Sequence, residues 1–238
     1  MIIRLAEAKG SIDRITGVLE EKGIIAIPTD TIYGLAVDGT DEGAVRKLMA
    51  LKQREEKPFT FFMNRSDIET YAIVMKKKVI DFFVPGPLTV ILRRRPDVAL
   101  PLVSEKIGIR IPQHDFVMQL LNAYQKPLAV TSANVSGQAH FASPQDIIGQ
   151  FGEVVLVVDS GMLHGAPSTV LDATATPPVV MRKGVIPILA IEKVYGRKIT
   201  LSRSLRFNVL FVCSGNTCRS PMAEGILGAL AGREHGEI

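Results

Sequence analysis

Short apolar runs alternate with amphipathic stretches along this chain, and their spacing predicts its elements. Ser11 can cap a helix that carries Ile12, Ile15, Val18 and Leu19 on one face and stops at Gly23. The run Ile24-Ile25-Ala26-Ile27 reads as a buried strand closed by Pro28, and a second strand is expected over 33–38. Asp41 caps a helix with Val45, Leu48 and Met49 at helical spacing. Phe59 to Met63 reads as a strand, and Ser66 opens a helix through Ile68, Tyr71 and Ala72. Pro85-Gly86-Pro87 forces a turn before a strand over 88–92; a strand over 107–111 and a short helix over 116–121 follow. Leu128-Ala129-Val130 is another buried run, and Ser143-Pro144 has the cap-plus-proline form of a helix start. Strands over 153–158, 168–172 and 178–182 and a helix from Pro187 to Tyr195 complete this part. Strands and helices mix without strict βαβ alternation. That order predicts an α/β fold with a twisted mixed sheet flanked by helices, not a Rossmann-type nucleotide fold.

Three strands are followed or opened by hydroxyl-rich segments: Pro28-Thr29-Asp30-Thr31-Ile32-Tyr33-Gly34-Leu35, Thr131-Ser132-Ala133-Asn134-Val135-Ser136-Gly137 and Pro167-Ser168-Thr169-Val170. Each alone could be a capped turn. Together, at strand ends along a sheet edge, they predict one shared polar pocket. Neither GxGxxG nor GxxxxGK[ST] occurs, so a nucleotide bound here would be held without a standard phosphate loop.

Composition narrows the class. A chain of 238 residues, 47% apolar and 22% charged, suits one large soluble domain or one and a half. The net charge of +4 and pI near 9.1 permit nucleic-acid contact without demanding it. Lys76-Lys77-Lys78 and Arg93-Arg94-Arg95 read either as solvated faces or as an RNA contact. No apolar stretch reaches the roughly 20 residues of a bilayer span, so no membrane partner is expected. The early Glu7 interrupts any signal-peptide core, and Cys213 and Cys218 are too few for a disulfide scaffold. A cytoplasmic protein is expected.

Seven segments carry a resemblance. Pro28 to Leu35, Lys52-Gln53-Arg54, Pro85 to Thr89, Gly108-Ile109-Arg110-Ile111-Pro112, Thr131 to Gly137, Ser168-Thr169-Val170 and Arg182-Lys183-Gly184 follow the order seen in YrdC-like threonylcarbamoyl-adenylate synthases, over residues 5–190. The resemblance implies a reaction of L-threonine, bicarbonate and ATP that gives threonylcarbamoyl-AMP and pyrophosphate, with Mg2+ carried by the ATP. The product would pass to the machinery that modifies adenosine in tRNA. By resemblance Thr31, His114, Ser132 and Ser168 contact threonine. Lys52, Arg54, Arg110, Asn134, Ser143 and Arg182 contact ATP, with Lys52 and Arg54 catalytic, and no protein-bound metal is implied. Other readings stand beside these: a helix cap for His114 or Ser143, a solvated helix end for Lys52 and Arg54, a structural turn for Asp30, and a pocket-lining role for Tyr33. The sequence departs from the family pattern where Glu55-Glu56 follow Arg54 without the usual proline, and where Phe59-Thr60-Phe61-Phe62 replaces a smaller strand. A non-catalytic double-stranded RNA-binding module is the competing class, and a synthase fused to a phosphatase is another.

The character changes near residue 197, so the expected domains are 1–196, a linker over 197–205, and 206–238. Phe207 to Val212 reads as a strand running into Cys213-Ser214-Gly215-Asn216-Thr217-Cys218-Arg219-Ser220. A cysteine and an arginine at this spacing, at a strand-to-helix turn, suit a phosphate cradle with a thiolate nucleophile. The segment resembles the opening of a low-molecular-weight phosphatase: Cys213 matches the nucleophile, Arg219 the phosphate clamp, and Asn216 and Ser220 the bracing residues. The expectation is an incomplete strand-loop-helix piece of such a domain, inactive because nothing here supplies the family's aspartate general acid.

Overall fold

In the computed structural model the described residues are 2–4, 7, 9–53, 58–135, 139–152, 155–205 and 209–235. They divide into Met1–Arg203 and Ser204–Ile238.

The first unit builds one sheet from its apolar runs. In chain order its elements are β1 Ile2–Arg4, α1 Ile12–Glu20, β2 Ile24–Ile27, β3 Gly34–Asp38, α2 Glu42–Leu51, β4 Thr60–Phe62, α3 Ile68–Tyr71, β5 Ala72–Ile73, α4 Lys77–Phe83 and β6 Leu88–Arg94. There follow β7 Lys106–Arg110, α5 Asp115–Tyr124, β8 Leu128–Ser132, α6 Pro144–Phe151, β9 Val155–Asp159, β10 Thr169–Asp172, β11 Val179–Arg182, α7 Ile188–Tyr195 and β12 Thr200–Leu201. The described strands run β1-β9-β2-β3-β8-β4-β7-β6-β10-β11-β12, with β5 also on β6. Antiparallel pairs such as β3–β8 alternate with parallel ones such as β4–β7 and β6–β10, so the sheet is mixed, as the absence of βαβ alternation implied.

Each main element has a local cause. Asp41 accepts from Ala44 N at 2.8 Å and starts α2. Ser143 accepts from Asp146 N at 3.1 Å with Pro144 in the first turn, and starts α6. Helices α1 and α5 place Ile15, Leu19, Phe116, Val117, Leu120 and Leu121 over Ile25, Ile27, Ala36, Phe62, Leu128 and Val130, and this cluster is the core.

Registry places the polar pocket. Gly34 pairs with Ser132, Val130 with Thr60, Thr60 with Gly108 and Phe62 with Arg110, which puts these residues on one face of neighbouring strands. Arg110 is level with Leu128 at the start of β8, whereas Ser132 ends that strand. The polar groups therefore gather across the face of the sheet, beside the α1–α5 core, and not along its edge as the strand-end reading predicted. The reason is strand direction: β8 and β7 run oppositely beside β4, so their C-terminal ends lie diagonally apart.

Other differences are smaller. Ser66 opens no helix: it lies inside a 3-10 turn, Arg65–Asp67, that precedes the four-residue α3. Strands β1, β5 and β12 are two or three residues long, too short to leave a periodic signal. Pairing of Thr200-Leu201 with Val179-Val180 carries the first unit through Arg203, into the stretch read as a linker. In the second unit, Val209 to Val212 form no strand, although the apolar run predicted one. Leu210 and Val212 are 86% and 81% exposed, and a run of apolar side chains becomes a strand only where a neighbour takes its backbone hydrogen bonds. The helix expected after the cysteine loop is present as α8, Arg219–His235.

Candidate active site

A cavity of about 290 Å³ opens on the polar face of the sheet, and its wall includes Lys52, Arg110, Ser132, Asn134, Ser168 and Arg182. Thr29, Tyr33, Thr60, Thr89 and Thr131 also line it. The three hydroxyl-rich segments thus do meet.

Lys52 follows the last turn of α2, and its side chain turns inward until only 2% of the residue is exposed. Its ammonium donates to Ser132 O at 2.5 Å, Asn134 Oδ1 at 3.0 Å and Thr131 Oγ1 at 3.3 Å. Ser132 Oγ donates to the same Asn134 oxygen at 2.6 Å. These bonds hold the ammonium against the end of β8 and the turn after it.

Arg110, at the end of β7, is buried beside Asp30: Nη2 donates to Asp30 Oδ1 at 2.5 Å and Nε to Gly86 O at 3.3 Å. Its guanidinium lies 5.6 Å from the Phe62 ring centre. Burial pulls its pKa below the usual arginine value, opposed by the Asp30 carboxylate. Asp30 is therefore more than the structural turn residue its setting suggested; it is one half of a buried ion pair whose other half stands 80 positions away.

On the far wall Ser168 is buried, its hydroxyl 2.8 Å from Thr89 Oγ1. Arg182 donates to Ser168 O through Nε and Nη2 and to Ser168 Oγ at 3.0 Å. Two glycines let the backbone close here. A Cβ on Gly184 would lie 2.3 Å from Pro167 O, and one on Gly165 would lie 1.8 Å from Thr31 O.

The segment after β2 is self-bonded. Thr29 Oγ1 donates to Ile32 O at 2.7 Å, accepts from Thr31 N at 3.1 Å, and shares a 2.9 Å bond with the Thr31 hydroxyl. Thr29 lines the cavity and Thr31 does not. Tyr33 lines the wall, but its hydroxyl is committed, donating to Gly161 O and accepting from Ser160 N.

Three of the residues singled out by sequence lie outside the six in the wall, and a fourth is not among the described residues. Thr31, as noted, does not line it. Ser143 is outside the wall, with its hydroxyl donating to Asp146 Oδ2 while it caps α6. His114 precedes α5 without a side-chain cap bond; its Nδ1 is buried with no partner, and burial lowers its pKa while Asp30 and Asp115 raise it. Arg54 lies outside the described residues. Sequence reasoning quoted Thr89 within the Pro85 to Thr89 segment but did not single it out as a site residue. His140 is not in the wall; burial, then the positive charges of Arg182 and Lys52, hold its imidazole below its ordinary pKa.

Residues 17–184 match the Sua5/YciO/YrdC family model, described as "Telomere recombination". The chain belongs to this family. It is 37% identical over 171 residues to a Methanocaldococcus jannaschii protein, with 69% of this chain and 81% of the relative covered. The threonylcarbamoyl-AMP synthase of Pyrococcus abyssi is 31% identical over 191 residues, 76% of this chain and 56% of the relative. That of Bacillus subtilis is 32% identical over 189 residues, with 75% and 55% covered. This chain thus spans little more than half the length of those two synthases. Among solved structures, P. abyssi Sua5 complexed with L-threonine superposes with a TM-score of 0.79 at 27% identity, covering 90% of this chain and 65% of that one. E. coli YciO gives 0.70 at 27% identity, covering 77% and 93%.

Residues 208–236 match the model "Low molecular weight phosphotyrosine protein phosphatase". In this unit Ser220 Oγ donates to Cys213 Sγ at 2.6 Å, Asn216 N donates to it at 3.1 Å, and Arg219 Nη2 donates to Ser214 Oγ at 2.8 Å. Asn216 takes φ +46°, which turns its N–H toward the sulfur. Donated hydrogen bonds, that of the Ser220 hydroxyl first, lower the Cys213 pKa to about 7. Alkylation of Cys213 by iodoacetamide is therefore expected to rise with pH to a half-maximum near 7. In Ser220→Ala the midpoint should move up, toward about 8.5. A midpoint unchanged by that substitution would show that the serine does not set the thiolate.

Among the described residues no helix is long and apolar enough to cross a membrane, and no group of three or more His, Cys, Asp or Glu is placed to hold a metal ion.

Proposed function

We propose that the first unit is a threonylcarbamoyl-AMP synthase that serves the threonylcarbamoyl modification of tRNA. The observation that carries this reading is a single cavity walled by three cations, Lys52, Arg110 and Arg182, and by the hydroxyls of Ser132, Thr131, Thr89 and Ser168. Cations suit the triphosphate of ATP and the carboxylate of an amino acid, and hydroxyls suit a small β-hydroxy side chain. The threonine amine adds to bicarbonate with loss of water, or to CO2 with loss of a proton, to give a carbamate. A carbamate oxygen then attacks the α-phosphorus, the bond to the β-phosphate oxygen breaks, and pyrophosphate leaves.

Such a transfer asks the protein for positioning and for positive charge, with little covalent help. Lys52 would stabilise charge on the phosphates as they rearrange, held in the wall by its bonds to Ser132 O and Asn134 Oδ1. Arg182 and Asn134 would complete the nucleotide side, and Ser168 and Ser132 the threonine side. Mg2+ would arrive on the triphosphate, in keeping with a described wall of cations and not carboxylates. The test is direct detection of threonylcarbamoyl-AMP by mass spectrometry after incubation of the chain with ATP, threonine and bicarbonate.

Selectivity follows from the hydroxyls. The wild type is expected to prefer threonine to valine, because a buried site built for a hydroxyl is left with unpaired groups by an apolar isostere. Ser168→Ala should reduce that preference by about tenfold. Equal binding of threonine and valine by the wild type would show that these groups do not read the side chain.

A further inference from the structure

Asp30 does not line the cavity, yet it is paired with a residue that does. Its side chain is 13% exposed and that of Arg110 only 6%. One carboxylate oxygen accepts from Arg110 Nη2, while the other, Oδ2, is buried without a hydrogen-bond partner. Nothing else in the turn explains a carboxylate here. Thr29 and Thr31 close the turn with their own hydroxyls and backbone, in bonds that do not involve the Asp30 side chain. A buried carboxylate with one unsatisfied oxygen is costly, so a turn needing only a polar residue would not select it.

The arginine explains it. Arg110 takes a second bond from Nε to Gly86 O, and its guanidinium lies over Phe62. Three directions are thereby set: carboxylate, carbonyl and ring. A long side chain that would otherwise sample several rotamers is held in one, with its remaining N–H groups available to the cavity it lines.

We propose that Asp30 is a positioning residue: through its ion pair it fixes Arg110 as a preorganised donor for an oxyanion of the bound substrate. That oxyanion is either the amino-acid carboxylate or a nucleotide phosphate. The part concerning substrates rests on the synthase reading; the part concerning Arg110 does not. Neutralising one of the three cations of the wall also keeps the cavity from accumulating unbalanced positive charge before a ligand enters.

The experiment uses the full chain, as wild type, Asp30→Ala and Asp30→Asn, with folding of each checked by thermal unfolding. The first readout needs no substrate: the rate at which phenylglyoxal modifies Arg110, followed by peptide mass spectrometry. Asp30→Ala is expected to raise that rate about tenfold, because the guanidinium is no longer tethered. Asp30→Asn, which keeps an acceptor oxygen, should fall between it and the wild type. Should the alanine variant fail to fold, the asparagine variant alone still has to exceed the wild-type rate. The second readout is the KM for threonine and for ATP. A rise of about tenfold confined to threonine assigns the oxyanion to its carboxylate, and one confined to ATP assigns it to a phosphate. Equal modification rates in all three proteins overturn the proposal, as do faster modification with both KM values unchanged. A wild type that makes no product while the modification rates differ would sink the synthase reading and leave the positioning role standing.

Discussion

Lys52→Ala is expected to lower synthase turnover by about 100-fold or more, the scale seen when one preorganised charge-stabilising donor is removed from an active site. The expectation follows from burial and from the kind of partners the lysine has. A solvated helix-end lysine would be replaceable. This one is inside the wall and donates to the carbonyl of Ser132 and the side chains of Asn134 and Thr131. Alanine removes the charge and also leaves those acceptors short of a donor, so stability should fall by about 1–3 kcal/mol. Lys52→Met, which keeps the volume, separates the two effects. It should recover part of the packing but none of the turnover. Wild-type turnover in the methionine variant would show that the charge is not used.

The second large effect concerns stability alone. Asp38, at the end of β3, is 4% exposed and accepts from Thr40 N at 2.7 Å, Thr40 Oγ1 at 2.6 Å, Tyr124 OH at 2.6 Å and Lys126 Nζ at 3.0 Å. These bonds tie β3 to α5 and to the start of β8. Asp38→Ala leaves a buried tyrosine hydroxyl and a backbone N–H without their acceptor, and should cost about 2–4 kcal/mol by urea denaturation. Lys126 is half exposed and contributes the smallest share. Asp38 lies outside the cavity wall, so turnover per folded molecule should be retained.

The same group predicts a pH limb. Burial pushes the Asp38 pKa up, but hydrogen bonds from Thr40, Tyr124 and Lys126 outweigh it and the net shift is downward. A carboxyl with a depressed native pKa adds stability that is fully present above its unfolded value, about 3.9, and is lost as pH falls through the native value. Asp172, held by Thr174 and Lys106 against its own burial, acts in the same direction. Wild-type stability should therefore drop below about pH 4, and Asp38→Asn should flatten that drop. A variant with the same acid limb as the wild type would show that Asp38 does not generate it.

What could be read along the chain was local. The cap at Asp41, the Ser143-Pro144 start and the buried run at Ile24 each depend on neighbours within a few positions, and each recurs in the structure. The cavity was legible as a collection of hydroxyls and cations because those residue types cluster at strand ends. Its placement across the sheet face was not, since it depends on strand order: β8 lies between β3 and β4, a neighbourhood no window along the chain contains. The Asp30–Arg110 pair spans 80 positions and the Tyr33–Gly161 bond 128, which is why one residue read as a turn and the other only as lining. The apolar run at Val209 misled in the opposite sense, because strand propensity without a pairing neighbour decides nothing.

Pyrophosphate release by the full chain, measured in an omission series, tests the central claim most directly. If the cavity is the site of the proposed synthase reaction, release should require threonine, bicarbonate and ATP together, and should fall to background when any one is left out. Release from ATP that is indifferent to threonine would contradict the account, and so would the absence of release when all three are present.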